Sequence, residues 1–301
     1  MNLHYWKKNL INKNKTLKLI LFFSDVSWLT VVIYRLHAIY CRNFNKTGRG
    51  VNSSLRKKFK MVGFHAIQDN KDENNNSEEI QRLNDYLSEK LVYNPSARSY
   101  QLPCGSATAV LAGYIFQYVT RNAKEIEAIL GAYFQIWRIS VYKTVPTQSI
   151  PDDKDSSFAF HYDSAPAEIN KIFIYLDDVT TETGAFGWIS AIDSMLLFKS
   201  GFVSSNGMRP SVQGIVNNFL KVKGSDRLNY FEGKAGSSFI FNNSIVHKAT
   251  FPQRGKRTVI CIEVYPSSRP LSVQNIVNAL QQPEDKSFPA FPKFPWKNRY
   301  N

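Results

Sequence analysis

A histidine and an aspartate two residues apart, His161 and Asp163, are the residues in this sequence best suited to metal chemistry. They lie in "SFAFHYDSAP", residues 157–166, of which we predict 157–163 to be a strand. Side chains two apart on a strand point to the same face, so both could reach one ion. Because the sequence holds five histidines, such a pair also arises by chance, and the rest of the chain must decide.

A second histidine, His247, follows the predicted strand "SSFIFNN", residues 237–243. Two imidazoles and one carboxylate form a facial triad, which suits ferrous iron and leaves three coordination positions open. Zinc fits less well, because its structural sites favour a closed tetrahedron rich in thiolates.

Ten residues after His247, Arg257 begins the predicted strand "RTVICIEVYP". A guanidinium inside a small barrel needs an anion, and its planar fork suits a carboxylate. Iron with open positions and a nearby arginine is the arrangement that a 2-oxo acid needs. The alternative is an arginine exposed in a hairpin, since the adjacent Arg254-Gly255-Lys256 is typical of a turn.

The elements that must position these residues lie mostly in the second half of the chain. At Gln135 the hydrophobic period changes from 3.6 to 2, and short strands follow one another, interrupted by an irregular insert at about 194–230. Strands in series without intervening helices favour a β-sandwich or barrel over a parallel α/β sheet.

The chain divides by composition. We predict a basic, partly apolar helical segment over 1–68, a polar loop over 69–78, and one domain over 79–301. Within that domain we expect helices over 79–134, a β-barrel over 135–266 and a C-terminal tail over 267–301.

The positive charge is concentrated at the N-terminus. Residues 1–60 hold 13 of the 38 lysines and arginines and one acidic residue, Asp25, although the net charge of the whole chain is +14. This distribution argues against nucleic acid as a partner, which would need cations along one face of the fold.

The apolar stretch 19–34 is short for a bilayer span and contains Asp25. A helix packed on the domain, a helix on an anionic membrane surface through residues 1–60, and a membrane anchor all stay open. The three widely spaced cysteines indicate reduced thiols and therefore a cytoplasmic protein. Peripheral contact of such a protein with a membrane stays open as well.

Residues 157–265 resemble the Fe(II)/2-oxoglutarate-dependent dioxygenases, and most closely their phytanoyl-CoA dioxygenase-like branch. The shared pattern is His161-x-Asp163, then a long gap, His247, and Arg257 ten residues on. The stretch "IFIYLDDVTTETGAFGWIS", residues 172–190, is similar to the strand, turn and next strand of that family.

The resemblance implies an α+β fold with a mainly β core, a double-stranded β-helix (jelly roll, cupin-like barrel) with the N-terminal helices packed on it. It also implies that His161, Asp163 and His247 hold Fe(II) and that Arg257 binds the distal carboxylate of 2-oxoglutarate. Phe173 occupies a position where the family carries an aromatic residue beside the cosubstrate, although core packing is the simpler role. The family often has a hydroxyl two residues after the second histidine; this chain has Ala249 there and Thr250 next.

The implied activity is that of a non-haem iron oxygenase. It would hydroxylate a small or lipid-like substrate with dioxygen while 2-oxoglutarate is converted to succinate and CO2. Two alternatives remain: a cupin-like metal-binding protein without oxygenase activity, and a membrane-surface interaction protein whose barrel is inactive.

Overall fold

The computed structural model describes residues 28–44, 53–68, 73–95, 97–146, 157–163, 168–202 and 210–282. The helices are α1 (Trp28–Phe44), α2 (Ser53–Val62), α3 (Glu73–Ser88), α4 (Thr108–Leu130), α5 (Ala191–Lys199), α6 (Pro210–Lys223) and α7 (Val273–Leu280). The strands are β1 (Phe64–Ile67), β2 (Val92–Asn94), β3 (Ser99–Gln101), β4 (Tyr133–Thr144), β5 (Asn170–Tyr175), β6 (Phe186–Ile189), β7 (Leu228–Phe231), β8 (Ser238–Asn242), β9 (His247–Ala249) and β10 (Arg257–Ser267).

The strands form two antiparallel sheets. The larger sheet has the order β1-β8-β5-β10-β4-β3-β2, and the smaller has the order β7-β6-β9. Aromatic residues of the smaller sheet, Phe186 and Phe231 among them, pack on Phe173, Phe239 and other residues of one face of the larger sheet. The mixed helical and antiparallel arrangement that we expected is confirmed, but the sheets do not close into a barrel.

The other face of the larger sheet packs against helices. Ile172, Ile240, Ile260 and Ile262 form one core with side chains of α3, α4 and α7. Alternation along β10 therefore separates two environments: even-numbered residues meet the helices, and odd-numbered residues such as Val259 and Cys261 face the smaller sheet.

A β-bulge changes the alternation of β4. Glu263 pairs with Arg138 and Val264 pairs with Ile136, so Trp137 is the extra residue. As a result Ile136 and Ile139 both pack on the helical side, although residues three apart on a regular strand face opposite sides. Arg138 lines the space between the sheets, while Ile136 and Ile139 on either side of the bulge fill the helical core.

The predicted segment boundaries need correction. The segment 1–68 contributes β1 to the edge of the larger sheet, and the predicted helical region 79–134 contains the hairpin β2–β3. Helix α3 begins at Glu73, inside the predicted loop 69–78. The predicted irregular insert holds α6 and most of α5, and the tail contains α7.

The N-terminal helices pack on the domain as expected. Tyr34 of α1 packs against Ile169 and Tyr265. Arg42 donates from Nε to the carbonyl oxygen of Leu130, the last residue of α4, at 3.0 Å and pairs with Glu168 at 2.6 Å. A cation at a helix C-terminus is favoured by the helix dipole, so part of the basic charge has a structural role.

Residues 19–27 of the apolar stretch and residues 283–301 of the tail lie outside the described residues. Among the described helices none is both long and apolar enough to cross a bilayer.

Candidate metal centre

Residues 157–163 do not form the predicted strand. Only His161 makes a β-bridge, to His247. The side chain of Gln213 takes both backbone polar groups of Phe160: Oε1 accepts from its N–H and Nε2 donates to its carbonyl, each at 2.9 Å. The amide of Gln213 thus takes the place of a partner strand on the side of the segment that faces away from β9.

The segment nevertheless brings the three predicted ligands together. One ligand atom from each of His161, Asp163 and His247 lies within 4.8 Å of the others. Nε2 of His247 is 3.7 Å from Oδ2 of Asp163, and the two imidazole centroids are 4.3 Å apart. The backbone N–H of Asp163 donates to the carbonyl of Asn243 at 3.0 Å, which fixes the far end of the triplet.

Both imidazoles are oriented by their own backbone. Nδ1 of His161 lies 2.9 Å from the carbonyl oxygen of Ala159, and Nδ1 of His247 lies 2.9 Å from that of Ile245. A carbonyl can only accept, so each Nδ1 carries the proton and each Nε2 keeps its lone pair. A histidine that binds a metal usually donates a hydrogen bond through one ring nitrogen and binds the metal through the lone pair of the other.

The charge state of the three groups also suits a cation. Burial lowers the pKa of His247 to about 3, with a contribution from His161, and burial lowers the pKa of His161 as well. Burial acts to raise the pKa of Asp163, but Lys171 and the two histidines outweigh it and hold that pKa well below its usual range. Near neutral pH the cluster is two neutral imidazoles and one carboxylate, the forms that bind metal. Oδ2 of Asp163 is buried and, apart from the ion pair with Lys171 at 3.0 Å, has no hydrogen-bond partner among the described residues, so the donor set fits a divalent ion.

The cluster lines a cavity of about 260 Å³ between the two sheets. A second cavity, of about 540 Å³, lies beside β2 and β3, and no histidine or carboxylate stands among its described lining residues. The smaller cavity is therefore the candidate site, because it alone of the two gathers histidines and a carboxylate among its described lining residues.

Arg257 lies in the same cavity as the three candidate ligands. It is 2% exposed, and its Nη1 donates to the carbonyl of Gly184 at 2.5 Å. Its Cζ is 6.0 Å from the ring centroid of Tyr142, and Nε has no hydrogen-bond partner within the described part of the chain. A buried guanidinium with a donor to spare is suited to an anion. The hairpin alternative, an exposed arginine, is therefore wrong.

The two weaker candidates differ in position. Phe173 lines the cavity and packs edge-on against Tyr142, Phe186 and Phe241, so it belongs to both the site and the core. Thr250 lies just beyond β9, and of the two neighbours only Ala249 lines the cavity. The Oγ1 atom of Thr250 is buried and has no hydrogen-bond partner among the described residues.

Three charged residues of the cavity were not predicted. Glu263 of β10 lies between Arg138 of β4 and Lys171 of β5 in the strand register, and all three line the cavity. Glu263 Oε1 is 2.8 Å from Arg138 Nη2 and 3.8 Å from Lys171 Nζ. The parity of "RTVICIEVYP" was a usable signal, since residues 257 and 263 must share a face of the strand.

The chain has known relatives in structure but not in sequence. No protein-family model and no curated protein sequence matches it. The epimerase SnoN from nogalamycin biosynthesis, solved with Fe3+, alpha ketoglutarate and nogalamycin RO, is 14% identical with a TM-score of 0.51. That alignment covers 80% of this chain and 93% of SnoN.

EctD from S. alaskensis is also similar. With bound Fe it is 13% identical over 71% of this chain and 76% of EctD, with a TM-score of 0.51. With 2-oxoglutarate and 5-hydroxyectoine it is 14% identical over 72% of this chain and 77% of EctD, with a TM-score of 0.50. These structures share the jelly-roll, cupin-like fold of 2-oxoglutarate oxygenases, which confirms the predicted fold class. At such identities the similarity shows the fold and no more.

Proposed function

We propose that the protein is an Fe(II)- and 2-oxoglutarate-dependent oxygenase of the phytanoyl-CoA dioxygenase-like type. The observation that carries the proposal is the cluster of His161, Asp163 and His247, whose ligand atoms lie within 4.8 Å of one another. SnoN and EctD, which share the fold, were solved with iron and with alpha ketoglutarate or 2-oxoglutarate. Fe(II) bound by the cluster would supply the activation of dioxygen, coupled to the oxidation of 2-oxoglutarate to succinate and CO2.

The protein's own residues hold and orient the reactants. Arg257 would bind the distal carboxylate of 2-oxoglutarate, since its unpartnered Nε is buried in the cavity. Aromatic side chains on the wall, Phe173, Phe186 and Phe241, would keep water from the reacting atoms. The carbonyl groups of Ala159 and Ile245 keep each Nε2 available to the metal.

The substrate is small and polar rather than lipid-like in this proposal. Arg138, Lys171 and Glu263 line one end of the cavity, and a hydrocarbon chain placed there would leave three charges without a polar partner from the substrate. The fold does not decide the reaction, because SnoN is an epimerase. We propose hydroxylation, since Asp163 fills the coordination position that iron halogenases leave for chloride.

The experiment is to load the purified metal-free protein with Fe(II) and 2-oxoglutarate and to measure binding of both and formation of succinate. With a substrate from a panel of small polar compounds, hydroxylation adds one oxygen atom to the product, whereas epimerisation leaves its mass unchanged. The Asp163→Ala variant, which should lose iron, is the control. Absence of iron and 2-oxoglutarate binding would show that the proposal is wrong, and metal binding without 2-oxoglutarate binding would favour the cupin-like alternative.

A second candidate function is contact with an anionic membrane surface. Helix α1 exposes Val32, Leu36 and Ile39 by 36%, 59% and 45%, at spacings that place them on one face. Arg35 beside them and Lys57 and Lys58 of α2 are also exposed and basic. Full-length protein should sediment with phosphatidylserine vesicles and not with phosphatidylcholine vesicles, and Leu36→Asp should abolish this. Val222→Asp, at a residue 77% exposed on α6, is the matched control and should have no effect.

A further inference from the structure

Lys171 lies between two carboxylates inside the candidate site. Its Nζ is 3.0 Å from Oδ2 of Asp163 and 3.8 Å from Oε1 of Glu263. Glu263 is the residue directly opposite Lys171 across the β5–β10 pair, so the second carboxylate is held within reach by the sheet itself.

The oxygen that Lys171 approaches is also the oxygen that faces the metal ligands. Oδ2 of Asp163 is 3.7 Å from Nε2 of His247. The ion pair with Lys171 occupies Oδ2, which has no other hydrogen-bond partner among the described residues. An ammonium and a divalent cation near one carboxylate oxygen repel each other, and burial strengthens that repulsion. Lys171 and a metal ion therefore compete for Asp163.

Lys171 cannot avoid this competition by losing its proton. Its Nζ lies within 4 Å of the carboxylates of both Asp163 and Glu263, and two anions beside one ammonium favour the charged form. The side chain thus stays a cation at ordinary pH and must move if a metal displaces it.

Glu263 offers the place to which it can move. The residue is 3% exposed, and its Oε1 already accepts from Arg138. Its Oε2 is buried and has no hydrogen-bond partner in the described part of the chain, which is an unfavourable state for a carboxylate oxygen. We infer that Lys171 controls metal binding at this centre. In the metal-free protein its ammonium neutralises Asp163, and when a metal binds, the ammonium moves to Glu263.

This inference rests on the proposed function only in that His161, Asp163 and His247 must bind a metal. Lys171 and Glu263 are then positioning residues that set metal affinity without touching the metal. Their effects must be coupled, because Glu263 matters to the metal chiefly as the acceptor for Lys171.

The test is a double-mutant cycle with Co(II) alone, without 2-oxoglutarate or substrate, measured by the visible absorption of the bound ion. Lys171→Met should tighten Co(II) binding about tenfold, and Glu263→Gln should weaken it about tenfold, each equivalent to 1.4 kcal/mol. In the Lys171→Met background, Glu263→Gln should change the affinity little. Lys234→Met, which removes a lysine from an exposed ion pair with Asp178, is the control and should leave the affinity unchanged.

Simple electrostatics predicts a different outcome. If the two residues act only through their charges, the effects of the substitutions will add, and the inference is then wrong while the proposed function stands. Failure of the wild-type protein to bind Co(II) would instead overturn both.

A measurement on the unaltered protein guards against variants that do not fold. Crystal structures of the wild type with and without Co(II) should place Lys171 Nζ beside Asp163 in the metal-free form and within hydrogen-bond distance of Glu263 in the loaded form. An ammonium that remains beside Asp163 in the loaded form contradicts the inference.

Discussion

The backbones of His161 and His247 bind each other in both directions. The N–H of His161 donates to the carbonyl of His247 at 2.9 Å, and the N–H of His247 donates to the carbonyl of His161 at 2.8 Å. The separation of the two imidazoles is thus set by main-chain geometry and by the Nδ1 contacts of each ring, not by side-chain freedom alone. Such a site is preorganised for a metal, because little conformational entropy remains to be lost on binding.

Replacing the carboxylate of the cluster should abolish metal binding. Asp163→Asn keeps the size of the side chain but removes its negative charge, so we expect Co(II) or Fe(II) affinity to fall by about 100-fold or more. Isothermal titration of the metal-free protein measures the affinity. Asp178→Asn, in an exposed ion pair with Lys234, is the control, and equal affinities for the two variants would contradict the assignment.

Arg257 should affect the cosubstrate and not the metal. Arg257→Gln removes the buried cation that we assign to the distal carboxylate, and 2-oxoglutarate affinity should fall about 10- to 100-fold, in line with charged hydrogen bonds of about 1.5–3 kcal/mol. Metal affinity should be unchanged. Arg254→Gln, at an exposed arginine of the preceding turn that pairs with Glu182, should bind 2-oxoglutarate normally. An unaltered affinity in Arg257→Gln would remove Arg257 from the site.

Gly184 should affect the affinity for 2-oxoglutarate through Arg257, because its carbonyl oxygen accepts a hydrogen bond from the guanidinium. Its φ of +107° disfavours any other residue, and an added Cβ would lie 3.0 Å from the carbonyl oxygen of Thr250. Gly184→Ala should therefore destabilise the protein by about 1–3 kcal/mol and weaken 2-oxoglutarate binding. The control is Gly113→Ala in α4, where no atom lies within 4 Å of the new Cβ and a gain of up to about 1 kcal/mol is expected. Chemical denaturation and 2-oxoglutarate titration measure both variants.

The metal-free protein should lose stability as the pH falls from about 6.5 towards 3. In the folded state the pKa of His247 is lowered to about 3, whereas the unfolded chain takes up this proton near pH 6.5. Between these values the unfolded state binds more protons, so the free energy of unfolding decreases by up to about 1.4 kcal/mol per pH unit for one proton. Urea denaturation at several pH values should show a shallower slope for His247→Asn, and identical slopes would contradict the burial of this imidazole.

The cysteines should differ sharply in reactivity. All three are free thiols, as the sequence indicated; Cys104 is exposed, and burial raises the pKa of both Cys41 and Cys261 to about 12. Iodoacetamide at neutral pH should therefore modify Cys104 alone in the folded protein and all three after unfolding. Because Cys261 lines the cavity, its rapid alkylation in the folded protein would mean that the cavity is more open than described.

The strands that the sequence could predict are those long enough, and rich enough in branched and aromatic residues, to be recognised from their own residues. β8 and β10 are rich in branched and aromatic residues, and each lies where the sequence predicts a strand. The three-residue strands β2, β3 and β9 carry too few residues for a period to be read. Residues 157–163 looked like a strand but make only the bridge from His161 to His247, and on the other side the distant Gln213 takes the backbone groups of Phe160.

Of the charged residues in the site, Glu263 alone left a signal in the sequence, its parity with Arg257; Arg138 and Lys171 could not be placed without the strand register. A glutamate or lysine in a short strand ordinarily predicts a solvent-facing position. Only the pairing of β10 with both β4 and β5 places Glu263 beside Arg138 and Lys171. By contrast, the types and spacing of His161, Asp163, His247 and Arg257 were sufficient to select the residues that the fold gathers in one cavity.

The alternation of β10 restricts how its gene can change. Arg257 and Glu263 both line the cavity, while Thr258 is fully buried and Ile260 and Ile262 fill the helical core between them. Insertion or deletion of one residue between positions 257 and 263 would turn one of the two charged side chains into apolar surroundings and one apolar side chain into the cavity. That stretch can therefore change length by one residue only where a bulge like that at Trp137 absorbs the change, whereas the turn before it carries no such restriction.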